Sequence, residues 1–235
     1  MSRIIEDIRK DLISNADEKT KKSGEKFFKE PVVMYGVKSA IVSRISREHY
    51  KNLPVKHKPE VFGLCENLWR SGLMEESFIA CNWSWFIRKE FEPTDFELFA
   101  EWVDSYVNNW ASCDTFCNHT VGTLIEMFPD QITGLKNWAH SANRWMRRAS
   151  AVSLIVPARK GKFLKEIIEL ANILLTDNDD MVQKGYGWML KVASQQHQKE
   201  VFDYVMSKKA TMPRTSLRYA IEKMPGELKA KAMAK

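Results

Sequence analysis

Residues 110–124 read Trp110-Ala111-Ser112-Cys113-Asp114-Thr115-Phe116-Cys117-Asn118-His119-Thr120-Val121-Gly122-Thr123-Leu124, and their periodicity decides the fold class. Trp110, Cys113, Cys117, Val121 and Leu124 recur at three- and four-residue spacing, which puts them on one apolar stripe of an α-helix. Ile4, Ile8 and Leu12 repeat the pattern near the start, and no stretch alternates as a half-buried strand would. Breakers at Pro31, Gly36, Pro54, Pro59, Gly72, Pro93, Pro129, Gly134, Pro157, Gly161, Pro213 and Pro225 cut the chain into pieces of ordinary helix length. About a dozen helices are expected at that length. Ser39, Thr94 with Glu97 three residues on, and Asn178 read as helix starts.

Two helical runs, Trp145-Met146-Arg147-Arg148-Ala149-Ser150-Ala151 and Trp188-Met189-Leu190-Lys191-Val192-Ala193-Ser194, begin 43 residues apart. That spacing lies within the period of HEAT-type helical repeats, whose helix pairs stack because a lone pair cannot bury its apolar face. The expected architecture is all-α, a single domain over residues 1–235 built as a curved superhelical array, an α-solenoid whose groove suits an extended polymer. Residues 151–156, rich in β-branched side chains, are expected to end their helix early and lead into a loop at Lys160-Gly161-Lys162.

The 235 residues are 44% hydrophobic and 28% charged, enough apolar material for a substantial core. The first ten residues mix charge with helical spacing and do not read as a secretory leader, and no run approaches the ~20 apolar residues of a membrane span. A cytoplasmic, monomeric protein is expected. Four cysteines without a paired framework are expected to be reduced. Cys113, Cys117 and His119 lack a second ligand half, so no metal is expected, and nothing implies a cofactor. Nucleotide-binding fingerprints, a nucleophile elbow and zinc-protease motifs are absent from the sequence.

The net charge of +6 hides a segregation: residues 1–59 carry +6, residues 60–135 carry −10 and residues 136–235 carry +10. A basic C-terminal half is a plausible footprint for phosphate, although lysines also simply solvate helix backs.

Several residues combine chemistry with helical spacing. Trp110 and Asp114, four apart, would border one pocket, unless the acid merely stabilises a helix start capped by Ser112. Arg144, Arg147 and Arg148 make a cationic ridge able to fork onto phosphate, or a solvated flank. Trp188 follows Gly185-Tyr186-Gly187, glycines that cost about 1 kcal/mol each in a helix unless a ligand or a neighbouring helix must approach closely. Gly36-Val37-Lys38-Ser39 reads as a turn into a helix whose free amides and Ser39 hydroxyl, with Lys38 alongside, could hold a phosphate, or as ordinary capping.

Taken together, the runs Asn109-Trp110-Ala111-Ser112-Cys113-Asp114, Trp145-Met146-Arg147-Arg148-Ala149 and Gln183-Lys184-Gly185-Tyr186-Gly187-Trp188 resemble the AlkD-type DNA alkylation repair glycosylases, over about residues 20–225. The resemblance implies a HEAT-like helical fold and cleavage of the N-glycosidic bond of N3- or N7-alkylated purines in double-stranded DNA. It implies catalytic roles for Trp110, Asp114, Arg148 and Trp188. It implies DNA contacts at Lys184, Lys191 and Arg218 and around Gly36 and Ser39, with Lys38, Arg144 and Arg147 as neighbouring cations. It also implies that the lesion need not be flipped into a pocket. Phe27 departs from the pattern, because that position is often tyrosine in the family, and so do the residues flanking Asp114. Relatives that bind branched DNA without excising bases make a non-catalytic binder of branched or distorted DNA the alternative, and a protein-interaction scaffold a third.

Overall fold

The computed structural model describes residues 3–234, and its contacts divide the chain after Phe116 into two compact units. Among the described residues there is no named strand, only an isolated bridge between Val33 and Leu73. The all-α expectation therefore holds, with sixteen α-helical segments where about a dozen were expected. The excess comes from stretches that kink into short pieces.

The first unit contains α1 (Arg3–Ser14), α2 (Glu18–Glu25), α3 (Ser39–Lys51), α4 (Lys58–Trp69), α5 (Met74–Phe86), α6 (Asp95–Tyr106) and α7 (Trp110–Phe116). α3, α5 and α7 pack side by side in a row, and α1, α4 and α6 lie behind them. The seam of α1 is Ile5, Ile8 and Leu12, so Ile5 takes the place expected for Ile4. Behind the row, Trp69, Phe62, Phe91, Phe99, Trp102 and Phe116 form an edge-on aromatic cluster; Phe99 lies 5.4 Å from Phe116 at 85°. Edge-to-face pairs add about 0.5–1.5 kcal/mol each to the burial of their rings. At its edge Glu66 accepts from the Trp102 indole and from the neighbouring Tyr106 hydroxyl.

The second unit runs through a π-helical turn (Cys117–Val121) into α8 (Gly122–Met127), α9 (Ile132–Trp138), α10 (Arg144–Val152), α11 (Ile155–Arg159), α12 (Leu164–Ile173), α13 (Asp180–Ala193), α14 (Gln198–Lys208), α15 (Arg214–Ala220) and α16 (Gly226–Met233). Here α10, α13 and α15 form the row. Gly187 makes the α13–α15 crossing possible: a Cβ there would stand 2.7 Å from Tyr219 Cβ and 3.0 Å from the Ser216 carbonyl oxygen.

Several start signals shift. Thr94 makes no side-chain cap, so the capping box with Glu97 does not form; Asp95 instead accepts from the Glu92 amide and pairs with Lys58 at 3.1 Å. Ser39 opens α3 without capping it. Asp179, not Asn178, caps α13, accepting from the amides of Met181 and Val182. Gly134 lies inside α9 rather than breaking it. Residues 153–154 break the helix as their branched neighbours suggest, yet α11 follows before the Lys160-Gly161 turn, because Pro157 sits in its first turn, where a missing N–H costs nothing. No helix among the described residues is long and apolar enough to cross a membrane.

Candidate nucleic-acid interface

In the first unit, the sequence around Trp110 sorts itself by helical phase. The buried Asn109 caps α7, its side-chain oxygen accepting the Ser112 amide at 3.0 Å, so Asn109 rather than Ser112 fixes the start. Ser112, Cys113 and Phe116 then face the core, which leaves Trp110, Ala111, Asp114 and Thr115 on the open side. Asp114 consequently stands one turn inside the helix, half-exposed, beside a half-buried indole. Cys113 and Cys117 are buried and outside any disulfide, as expected of a packing seam, and no metal-binding cluster occurs among the described residues.

A ring that the spacing could not predict holds Trp110. Phe28 stacks on it with centroids 5.4 Å apart and planes 25° from parallel. Phe28 follows α2, a lysine-rich helix that buries none of its own residues. Next to it Phe27 projects into solvent, 74% exposed.

The turn carrying Lys38 and Ser39 is built by a second unforeseen residue, Glu75. This buried carboxylate at the start of α5 accepts the amides of Tyr35 (3.0 Å), Gly36 (2.8 Å) and Val37 (2.9 Å). Glu76 beside it, also buried, accepts from Arg9 Nε at 3.0 Å, Arg9 Nη2 at 2.9 Å and the Tyr35 hydroxyl at 2.7 Å. Burial and the adjacent Glu76 carboxylate push the Tyr35 phenol well above its ordinary value, so it stays a neutral donor. Gly36 has φ +91°, and any Cβ would lie 2.6 Å from the Asp17 carbonyl oxygen, so no other residue fits. The amides of Gly36 and Val37 are thus used inside the turn, whereas Lys38 and Ser39, where α3 opens, are exposed.

In the second unit the three arginines converge on the start of α13. Arg144 pairs with Asp179 at 2.8 Å and lies 5.0 Å from the Trp145 ring. Arg147 pairs with Asp177 at 2.6 Å and also donates to the carbonyls of Ser141 and Ala142. Arg148 is buried and donates to the Met181 carbonyl. Gly185 makes room for it, since a Cβ there would stand 3.3 Å from Arg148 Cγ. Both glycines of the Gly185-Tyr186-Gly187 run thus serve helix packing. Trp188 is not core: Lys184, Trp188 and Lys191, at i, i+4 and i+7, share a half-exposed face of α13. Lys184 pairs with Asp180 at 3.1 Å and Lys191 with Glu222 at 3.0 Å. Arg218, on α15, is exposed and makes no ion pair among the described residues, and the same is true of Arg214 one turn earlier.

The family model for DNA alkylation repair enzymes matches residues 8–224. The chain belongs to the DNA alkylation repair enzyme family. A solved structure described as "Predicted DNA alkylation repair enzyme from Enterococcus faecalis" superposes with a TM-score of 0.78 at 15% identity, covering 90% of this chain and 98% of that one. At that identity the likeness concerns the fold. No curated protein matches. Within the family frame, the resemblance inferred from the Trp110, Arg148 and Trp188 runs is to the right group.

Proposed function

We propose that the chain is a DNA glycosylase that removes N3- or N7-alkylated purines from duplex DNA. The observation that supports it most is the half-exposed Asp114 carboxylate one turn from a Trp110 ring braced by Phe28. An alkylated purine already carries positive charge and leaves without a protonating acid, so one carboxylate suffices, unlike the carboxylate pair of sugar hydrolases. As the bond breaks, positive charge grows on the deoxyribose. A fixed carboxylate stabilises that charge, and the face of Trp110 adds cation–π attraction. Lys184, Lys191 and Arg218 supply phosphate contacts, with Lys38 and Ser39 doing so from the first unit. Arg144 and Arg147, bound to Asp179 and Asp177, would contribute mainly by fixing α10 against α13.

The test is base release from DNA carrying N7-methylguanine or N3-methyladenine. Asp114→Asn should lower the excision rate about 10²–10³-fold, the scale of removing one preorganised charge. Unchanged excision would remove Asp114 from the mechanism. The absence of a hydroxyl at Phe27 favours one other reading, a non-catalytic binder of branched or distorted DNA. That reading requires no base release and a salt-sensitive preference for junctions over linear duplex.

A further inference from the structure

Two hollows within the first unit share Phe27 in their walls. The first, about 390 Å³, is walled by rings and thioethers, chiefly Phe27, Phe28, Phe78, Trp110 and Met74. The second, about 460 Å³, is lined by the side chains of Lys19, Lys38, Thr20 and Ser23 together with Phe27. They share Thr20, Gly24, Phe27 and Lys38, so one ligand can occupy both. Asp17 lines the second hollow, but one of its oxygens is taken up by the Thr20 amide at 2.7 Å and the Thr20 hydroxyl at 2.6 Å.

We infer that this pair of hollows is a binding site for one unpaired nucleotide of DNA, its base against the rings around Phe27 and its phosphate beside Lys19 and Lys38. An apolar hollow next to one bearing two lysines matches the two halves of a nucleotide, and the first hollow falls within the ~300–1,000 Å³ of small-molecule sites. A phenylalanine left 74% in water has no packing role to explain it. Rings with interleaved lysines are how proteins hold unstacked bases, because every base offers a π-face. α2 buries none of its residues, so the wall it forms can adjust to purine or pyrimidine. The inference rests on the reading that the chain binds DNA, but not on excision: it concerns a base displaced from the stack, whether or not that base is the damaged one.

The experiment uses the full chain and two duplexes of the same sequence, one fully paired and one with a single bulged 2-aminopurine, titrated at fixed salt with its fluorescence followed. Stacking contributes about 1–3 kcal/mol per base, equivalent to about 5–150-fold. The bulged duplex should therefore bind at least about fivefold tighter. Phe27→Ala should bring the ratio of the two affinities to about one, and Phe27→Tyr should restore it. Because Phe27 is a surface residue, circular dichroism should show Phe27→Ala folded. Lys19→Met with Lys38→Met should flatten the salt dependence of the bulged complex by up to about two counterions. Equal affinity for the two duplexes, or a preference that survives Phe27→Ala, overturns the inference. Base release measured on the same preparation separates the two ideas. Excision without bulge preference sinks only this site, and bulge preference without excision sinks only the glycosylase.

Discussion

Replacing Glu75 with alanine removes the acceptor of three backbone amides at once, Tyr35, Gly36 and Val37. A buried donor left unpaired costs about 1–3 kcal/mol, and the bonds to Gly36 and Val37 are fully buried. Two such losses plus a smaller third give about 3–6 kcal/mol, a large fraction of the ~5–15 kcal/mol that holds a typical domain. Glu75→Gln is the sharper probe. Its remaining carbonyl can still serve Gly36 and Val37 from the Oε1 position, but its NH2 group then faces the Tyr35 amide, donor against donor. The expected cost is about 1–3 kcal/mol. Urea denaturation reads both variants as a lower midpoint at unchanged slope if the whole unit feels the loss. Native-state hydrogen exchange at residues 35–37 reads it if only the turn opens. Because Lys38 and Ser39 follow this turn directly, DNA affinity should fall with it. Glu75→Ala with a midpoint within about 0.5 kcal/mol of the parent and slow exchange at residues 35–37 would refute the claim that this carboxylate builds the turn.

The two kinds of helical glycine should respond in opposite directions. Gly187→Ala must push α15 off α13 and should lose about 1–2 kcal/mol, whereas Gly63→Ala, with nothing within 4 Å, should gain up to about 1 kcal/mol in thermal unfolding. Arg147 and Asp177, both largely buried, should show about 0.5–3 kcal/mol of coupling in a double-mutant cycle on stability; additive single mutants would make the pair incidental. Burial opposes ionisation of Glu126, but hydrogen bonds from Lys160 and Lys162 outweigh it and hold the carboxyl below its ordinary value of 4.5. The stabilisation from this depressed acid is complete above that value and disappears as pH falls through the folded one, so Glu126→Gln should flatten the acid limb of stability measured below about pH 4.5.

Elements whose cause is local were legible in the sequence, and those built from distant partners were not. The stripe through Cys113, Cys117, Val121 and Leu124 is fully buried, although a π-helical turn interrupts the 3.6 period from which it was read, while Trp110, read on the same stripe, opens outward because Asn109 caps the helix just before it. Spacing made Trp110 and Asp114 neighbours, but it left open whether Asp114 served only the helix start and whether Trp188 filled core. Glu75 looked like one more acid in an acidic stretch, because its three partners lie about forty residues upstream. Phe28 was invisible as the partner of Trp110 for the same reason, eighty-two positions away with no local pattern joining them. Arg144 and Arg147 read as a cationic ridge, since nothing in their own helix announces Asp177 and Asp179. A run of Asp177, Asp179 and Asp180 before a basic helix was the one available hint.

The π-helical turn at Cys117–Val121 makes the chain sensitive to number as well as kind at this point. Such a turn carries one residue more than an α-helical path would. Deleting any one of the five would let the segment relax to ordinary helix and swing α8 by about 100°, carrying Leu124 and Ile125 out of the interior. It would also carry Gly122 away from the Ser153 carbonyl, against which only a hydrogen fits. Substitutions at the exposed His119 can drift, but single-codon losses anywhere in the turn should be purged, which makes it a fixed ruler mark in the evolution of the chain.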